Sequence, residues 1–242
     1  MITILGSCRQ NSIRNVFSVN NIQEKLNYCH NTKEIIQTLK LCKNIINFDV
    51  NVQLLSLRTS ILQKSEINFE KIYEEYNNSN LIVIEIASLK CHELIINNEI
   101  IQCHHIAYDK PELYNYPQNI SNIIKLRKQT EEEIENDIKE IMELVFPKKI
   151  LIVTHFATDI NSSRYKLINI VENICKKYNI TYINPNKLLE KYNVNELFGN
   201  DTEINLINKE DTNYTYIAHY SKFGHEKIQE LYKKNIELLL TQ

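Results

Sequence analysis

Ile2-Thr3-Ile4-Leu5-Gly6-Ser7-Cys8-Arg9 opens the 242-residue chain with a short apolar run closed by glycine. A run of this length ending in a turn residue reads as a buried strand. The polar residues behind it then stand at the strand's carboxyl end. The pattern returns at Leu81-Ile82-Val83-Ile84-Glu85-Ile86 and at Lys149-Ile150-Leu151-Ile152-Val153-Thr154, and more briefly at Ile180-Thr181-Tyr182-Ile183. Between these runs lie longer segments of helical period. Asn31 and Glu34 have capping-box spacing ahead of Ile35, Ile36 and Leu39, which predicts a helix over about 32–43. Further helices are predicted over 69–77, 129–145, 163–178, 186–192 and 223–240. The helix at 129–145 gathers acidic residues at its start, where they suit the helix dipole, and Pro147 ends it. The span 50–57 fits either a strand or a short helix. Residues 91–106 read as a hairpin turning at Asn97-Asn98, a small insertion. Short apolar strands alternating with helices predict a three-layer α/β/α domain over 1–242, with a mostly parallel central sheet.

Composition narrows the function classes. Apolar residues make up 43% and charged residues 24%, and the formal net charge is -2, so no basic field exists to collect nucleic acid. No apolar run is long enough to span a membrane, and no leader precedes Ile2, so a cytoplasmic protein is expected. The six cysteines form no CxxC pair, which suits a reducing compartment and neither a zinc ribbon nor a disulfide scaffold. The apolar ending Ile236-Glu237-Leu238-Leu239-Leu240 could pack on the core, on another subunit of a homo-oligomer or on an attached second domain.

In open parallel sheets, ligands bind beyond the carboxyl ends of the strands. That rule selects Ser7, Cys8 and Arg9 after the first run, Arg58 and Thr59 after 50–57, Ser88 after the third and His155 after the fourth. A cysteine or serine where a helix begins is placed for covalent catalysis if a base is near. His219, in the loop before the last helix, is the candidate base, and Asp211 is the nearest upstream carboxylate that could orient it. Glu85 interrupts an apolar strand; it either faces the site or locks a partner such as Arg58. Arg9, Arg58 and Arg164 suit an anion; pairing with Glu85 or Asp159 to hold loops together suits Arg58 equally and Arg164 better. His104 and His105 follow the hairpin. Adjacent histidines on a strand point to opposite faces, so no metal site is expected.

The Gly6-Ser7-Cys8 turn and the His219 loop, followed by Gly224, together resemble the two ends of the SGNH (GDSL-like) hydrolase superfamily. Laid on its Gly-Asp-Ser turn, Gly6 takes the glycine, Ser7 the aspartate and Cys8 the nucleophilic serine; His219 takes the catalytic histidine. The turn is more similar to two cysteine-bearing relatives, the GSCFA-type group and a capsule-polysaccharide family with a Gly-Asn-Cys-Gln start. The resemblance implies acyl chemistry. It implies transfer of an acetyl group from acetyl-CoA to an amino or hydroxyl group of a nucleotide-activated sugar, without a metal. A carbohydrate esterase and a non-catalytic sugar-binding module are the alternatives. The chain departs from the superfamily where an aspartate normally stands three residues before the histidine; here that position is Tyr216. The superfamily's Gly and Asn oxyanion donors have no match either, and Thr59 and Ser88 occupy the analogous loops.

Overall fold

The computed structural model describes residues 1–63, 67–96, 98–109, 123–198 and 220–241. Its centre is a four-stranded sheet of β1 (Ile2–Leu5), β2 (Leu81–Ile86), β6 (Lys149–Thr154) and β7 (Tyr182–Ile183), in the order β1-β2-β6-β7. Every pairing in it is parallel. Strands buried on both faces need no alternation of apolar and polar residues, which is why the runs looked continuous in the sequence.

The two faces are nonetheless distinct, because side chains alternate along a strand. Ile82, Ile84 and Ile86 of β2 pack with residues of α2 (Thr32–Cys42), α5 (Phe69–Asn77), α7 (Glu131–Val145) and α8 (Ser163–Lys177). Leu81 and Val83 face the other way, onto Ile2, Ile4, Leu151, Val153 and the last helix, α10 (Lys222–Thr241), through Ile228, Tyr232 and Ile236. Each fully buried isoleucine contributes about 1.5–3 kcal/mol of apolar burial, so these two layers dominate the stability. The result is the three-layer α/β/α arrangement. α7 carries the full capping box, Thr130 with Glu133. In α2, Asn31 caps the Glu34 amide, but the Glu34 carboxylate accepts from the His30 amide at 2.7 Å.

Two expectations change. The ambiguous span 50–57 is helical: Asp49 Oδ1 accepts from the Asn51 and Val52 amides and starts α3 (Val50–Ser56), and Arg58 then opens α4 (Arg58–Gln63). Arg58 and Thr59 therefore do not follow a strand. The hairpin, β3 (Lys90–Ile96) and β4 (Glu99–Gln102), is joined by β5 (Lys125–Lys128), giving an antiparallel sheet ordered β4-β3-β5. β5 reads Lys125-Leu126-Arg127-Lys128 and carries no apolar pattern; Arg127 anchors it through Glu93 at 2.7 Å and Glu133 at 2.9 Å. This second sheet stands beside the carboxyl ends of the first.

Candidate functional site

Glu85 continues the Leu81/Val83 face of β2, and His155 continues the Leu151/Val153 face of β6. The two therefore meet at the carboxyl end of the sheet, on the α10 side. The last β1–β2 rung is Leu5 opposite Ile84, so Gly6 comes next to Glu85. A Cβ on Gly6 would lie 2.7 Å from the Glu85 Cβ. Gly6 is required for this close approach rather than for an unusual turn conformation.

Glu85 holds two donors. Its Oε2 accepts from the Ser7 amide at 2.8 Å and its Oε1 pairs with His155 Nδ1 at 2.7 Å. His155 Nε2 lies 3.0 Å from Arg9 Nη1. Arginine only donates, so Nε2 is the acceptor and Nδ1 carries the proton given to Glu85. Ser7, Arg9, Glu85 and His155 are all buried. Burial lowers the His155 pKa, the Arg9 charge lowers it further, and the Glu85 charge only partly restores it, so the ring is neutral. Burial opposes ionisation of Glu85, but the His155 and Ser7 hydrogen bonds and the Arg9 charge outweigh it and hold the carboxylate ionised. A neutral imidazole thus spans an anion and a cation. His155 has no spare lone pair for a substrate proton; it positions Arg9.

Cys8 begins the 3-10 helix Cys8–Asn15, whose N-cap is Ser7. The Ser7 hydroxyl accepts from the Arg9 amide at 3.4 Å, a capping task rather than that of a primed nucleophile. Gln23 Nε2 donates to the carbonyls of Gly6 and Ser7 at 2.9 and 3.0 Å, fixing the turn from outside. Cys8 is the exposed cysteine; the other five are buried. Although the residue is exposed, the surrounding walls strip water from the sulfur and raise its pKa. Arg9, its own backbone amide and Arg58 pull it down, and Glu85 pushes it up. The thiol is protonated at neutral pH, so attack by this sulfur needs a base.

The turn lines a cleft of about 350 Å³ walled by Ser7, Cys8, Arg9, Ser88, Lys90, His155 and Arg164, by His30 from a loop, by His92 from the second sheet and by His105 from the start of the helix that follows β4. Ser88 shapes the wall through its backbone, donating to the His30 carbonyl at 2.8 Å, while its hydroxyl accepts from the Lys90 amide. Thr59 is spent elsewhere: its hydroxyl donates to the Glu24 carbonyl at 2.6 Å. Arg58 stacks over the Tyr28 ring at 4.7 Å and reaches Cys8 through its charge rather than through Glu85. Arg164 does line the cleft. Asp211 and His219 lie outside the described residues. Tyr220, the next residue, is buried close enough to Arg9 and Glu85 for their charges to act on its hydroxyl. The start of α10 is seated by Ser12 Oγ against His225 Nδ1 at 2.6 Å, and by Gly224, where a Cβ would fall 1.9 Å from the Leu197 oxygen. A larger hollow of about 670 Å³ between α2 and β4 contains none of the strand-end residues.

His30 and His92 were invisible as site residues in the sequence, since neither follows a strand of the parallel sheet. The expectation that His104 and His105 diverge fails for a local reason. β4 ends at Gln102 and α6 (His105–Asp109) begins at His105, so neither histidine lies on a strand and their rings lie 4.3 Å apart, with His30 4.8 Å from His105.

Fold and site define a class: a three-layer α/β/α protein with a cleft at the carboxyl ends of its parallel strands and an exposed thiol on the first turn. The family model of the TviD N-terminal domain matches residues 1–108 and 108–203, and the chain belongs to that family. The family ties it to capsule polysaccharide biosynthesis. No curated protein and no solved structure matches the chain. Among the described residues, no helix is long and apolar enough to cross a membrane.

Proposed function

We propose that the chain is a cytoplasmic acyltransferase of capsule polysaccharide biosynthesis, moving an acetyl group from acetyl-CoA to a hydroxyl or amino group of a nucleotide-activated sugar. The observation that carries this reading is Cys8, exposed on the first turn of a helix inside the strand-end cleft. In the first half-reaction the Cys8 sulfur attacks the thioester carbonyl, its proton passes to a base, and coenzyme A leaves as the thiol. In the second, the sugar's hydroxyl or amine attacks the Cys8 thioester, and the thiol is regenerated. His219 is assigned as the base, in keeping with the SGNH-like pattern of the two chain ends, and Asp211, the nearest upstream carboxylate, as its orienting group. Arg9 faces developing negative charge on the oxyanion, held there by His155 and Glu85. Arg164 and Lys90 supply cationic groups for the phosphates of coenzyme A or of the sugar nucleotide.

The test is coenzyme A release from acetyl-CoA with and without an amino-sugar nucleotide. Acceptor-dependent release that falls to background in Cys8→Ala supports the transferase. Release indifferent to acceptor moves the assignment to a hydrolase, and full activity in Cys8→Ala removes the mechanism.

A further inference from the structure

Beside Cys8, but outside the chain of groups that fixes Arg9, three imidazoles converge from two segments. His30 comes from the loop before α2, its position set by Ala87 and Ser88, whose amides both donate to its carbonyl at 2.8 Å. His104 and His105 come from the start of α6. One ring nitrogen from each lies within 4.8 Å of the others. His104 is 1% exposed, and among the described residues its Nε2 has no hydrogen-bond partner. A buried, unpartnered ring nitrogen costs stability unless something occupies it. His30 Nδ1 likewise makes no hydrogen bond and lies 3.6 Å from Glu34 Oε2.

We propose that His30, His104 and His105 form a site for a divalent transition-metal ion of the zinc class, on the wall of the Cys8 cleft. Imidazole nitrogens are the donors that such ions favour, and three of them leave a coordination position for water or substrate. His30 and His105 line the cleft, so that position opens toward Cys8. Tetrahedral ligands at zinc distances stand roughly 3.3 Å apart, so the rings must close by about 1.5 Å, within the reach of side-chain rotation. The electrostatics divide. Arg58 opposes a cation at this site, whereas Glu34, 3.6 Å from His30 Nδ1, attracts one. The Ile106 amide now donates to His104 Nδ1 at 3.2 Å. Ligation through Nε2 would place the proton on Nδ1 and give up that long bond.

The site is separable from acyl transfer and is tested with the metal alone. Chelator-treated protein is titrated with Co²⁺ and with Zn²⁺, reading visible absorption and heat. The site predicts one equivalent of ion, tetrahedral Co²⁺ bands, and displacement of Co²⁺ by Zn²⁺. His30→Asn and His105→Asn are half-buried changes that spare the core; each should abolish the bands while circular dichroism stays unchanged. Cys8→Ala should keep them. No bands at stoichiometric metal, equal binding by both histidine variants, or loss of binding in Cys8→Ala would each overturn the assignment.

Discussion

Glu85→Gln keeps the shape of the buried carboxylate and removes its charge, which makes it a sharp probe of the Ser7–Glu85–His155–Arg9 chain. The carboxylate accepts at 2.8 Å from the Ser7 amide and at 2.7 Å from His155. A glutamine offers one oxygen and one amide nitrogen to these two donors. If the oxygen keeps Ser7, the nitrogen meets Nδ1–H of His155. The ring must then shift its proton to Nε2, which places a donor against the Arg9 guanidinium. The mismatch can be moved along the chain but not removed. A charge-assisted hydrogen bond contributes about 1.5–3 kcal/mol, and leaving a buried polar group unsatisfied costs about 1–3 kcal/mol. Because the isostere keeps one bond, a loss of about 3 kcal/mol is expected. For a domain of this size that is a fall in Tm of roughly 6–12 °C. Urea unfolding with a circular dichroism readout, paired with the Cys8 alkylation rate, measures both ends of the chain. A variant within about 1 kcal/mol of the parent, with unchanged thiol reactivity, would show that Glu85 does not order this turn.

Two further outcomes follow from the same geometry. The unfolded chain protonates His155 near pH 6.5, whereas the folded pKa is lowered to about 4. Below pH 6.5 the unfolded state therefore binds more protons, and stability should fall with pH by about 3 kcal/mol before levelling near pH 4. Glu85, lowered to about 2, adds a second loss beginning near pH 4.3. Urea midpoints across pH 4–8 test this, and a flat profile contradicts it. Native protein treated with a thiol-specific disulfide reagent should label Cys8 alone, since the other five cysteines are buried. The rate should keep rising beyond the ordinary thiol midpoint of about pH 8.5, because the Cys8 pKa is raised; a plateau at neutral pH would mean a preformed thiolate.

The parallel sheet was legible because β1, β2 and β6 are buried on both faces and so had to be continuous apolar runs. Helix α2 announced itself through the Asn31–Glu34 spacing, and α7 through the acidic residues at its start and Pro147 at its end. β5 did not, because a strand held by Arg127 salt bridges carries no apolar pattern. The span 50–57 stayed ambiguous because the deciding feature is one hydrogen-bonding carboxylate, Asp49, just before it. In the site, the position of each residue after a strand found Cys8, Arg9 and His155, and the buried charge of Glu85 flagged itself. What they do to one another depends on register, with Gly6 laid against Glu85, and register is not written in a single strand. His30 enters the cleft through its carbonyl's contacts with Ala87 and Ser88, a tertiary placement with no local signal.

Acyl transfer through Cys8 requires a thioester on its sulfur. Brief incubation with acetyl-CoA, acid quench and peptide mass spectrometry should find one acetyl group on the peptide containing Cys8, labile to hydroxylamine and discharged by the acceptor sugar. An acetyl group absent from Cys8 while coenzyme A is still released to acceptor would contradict the account.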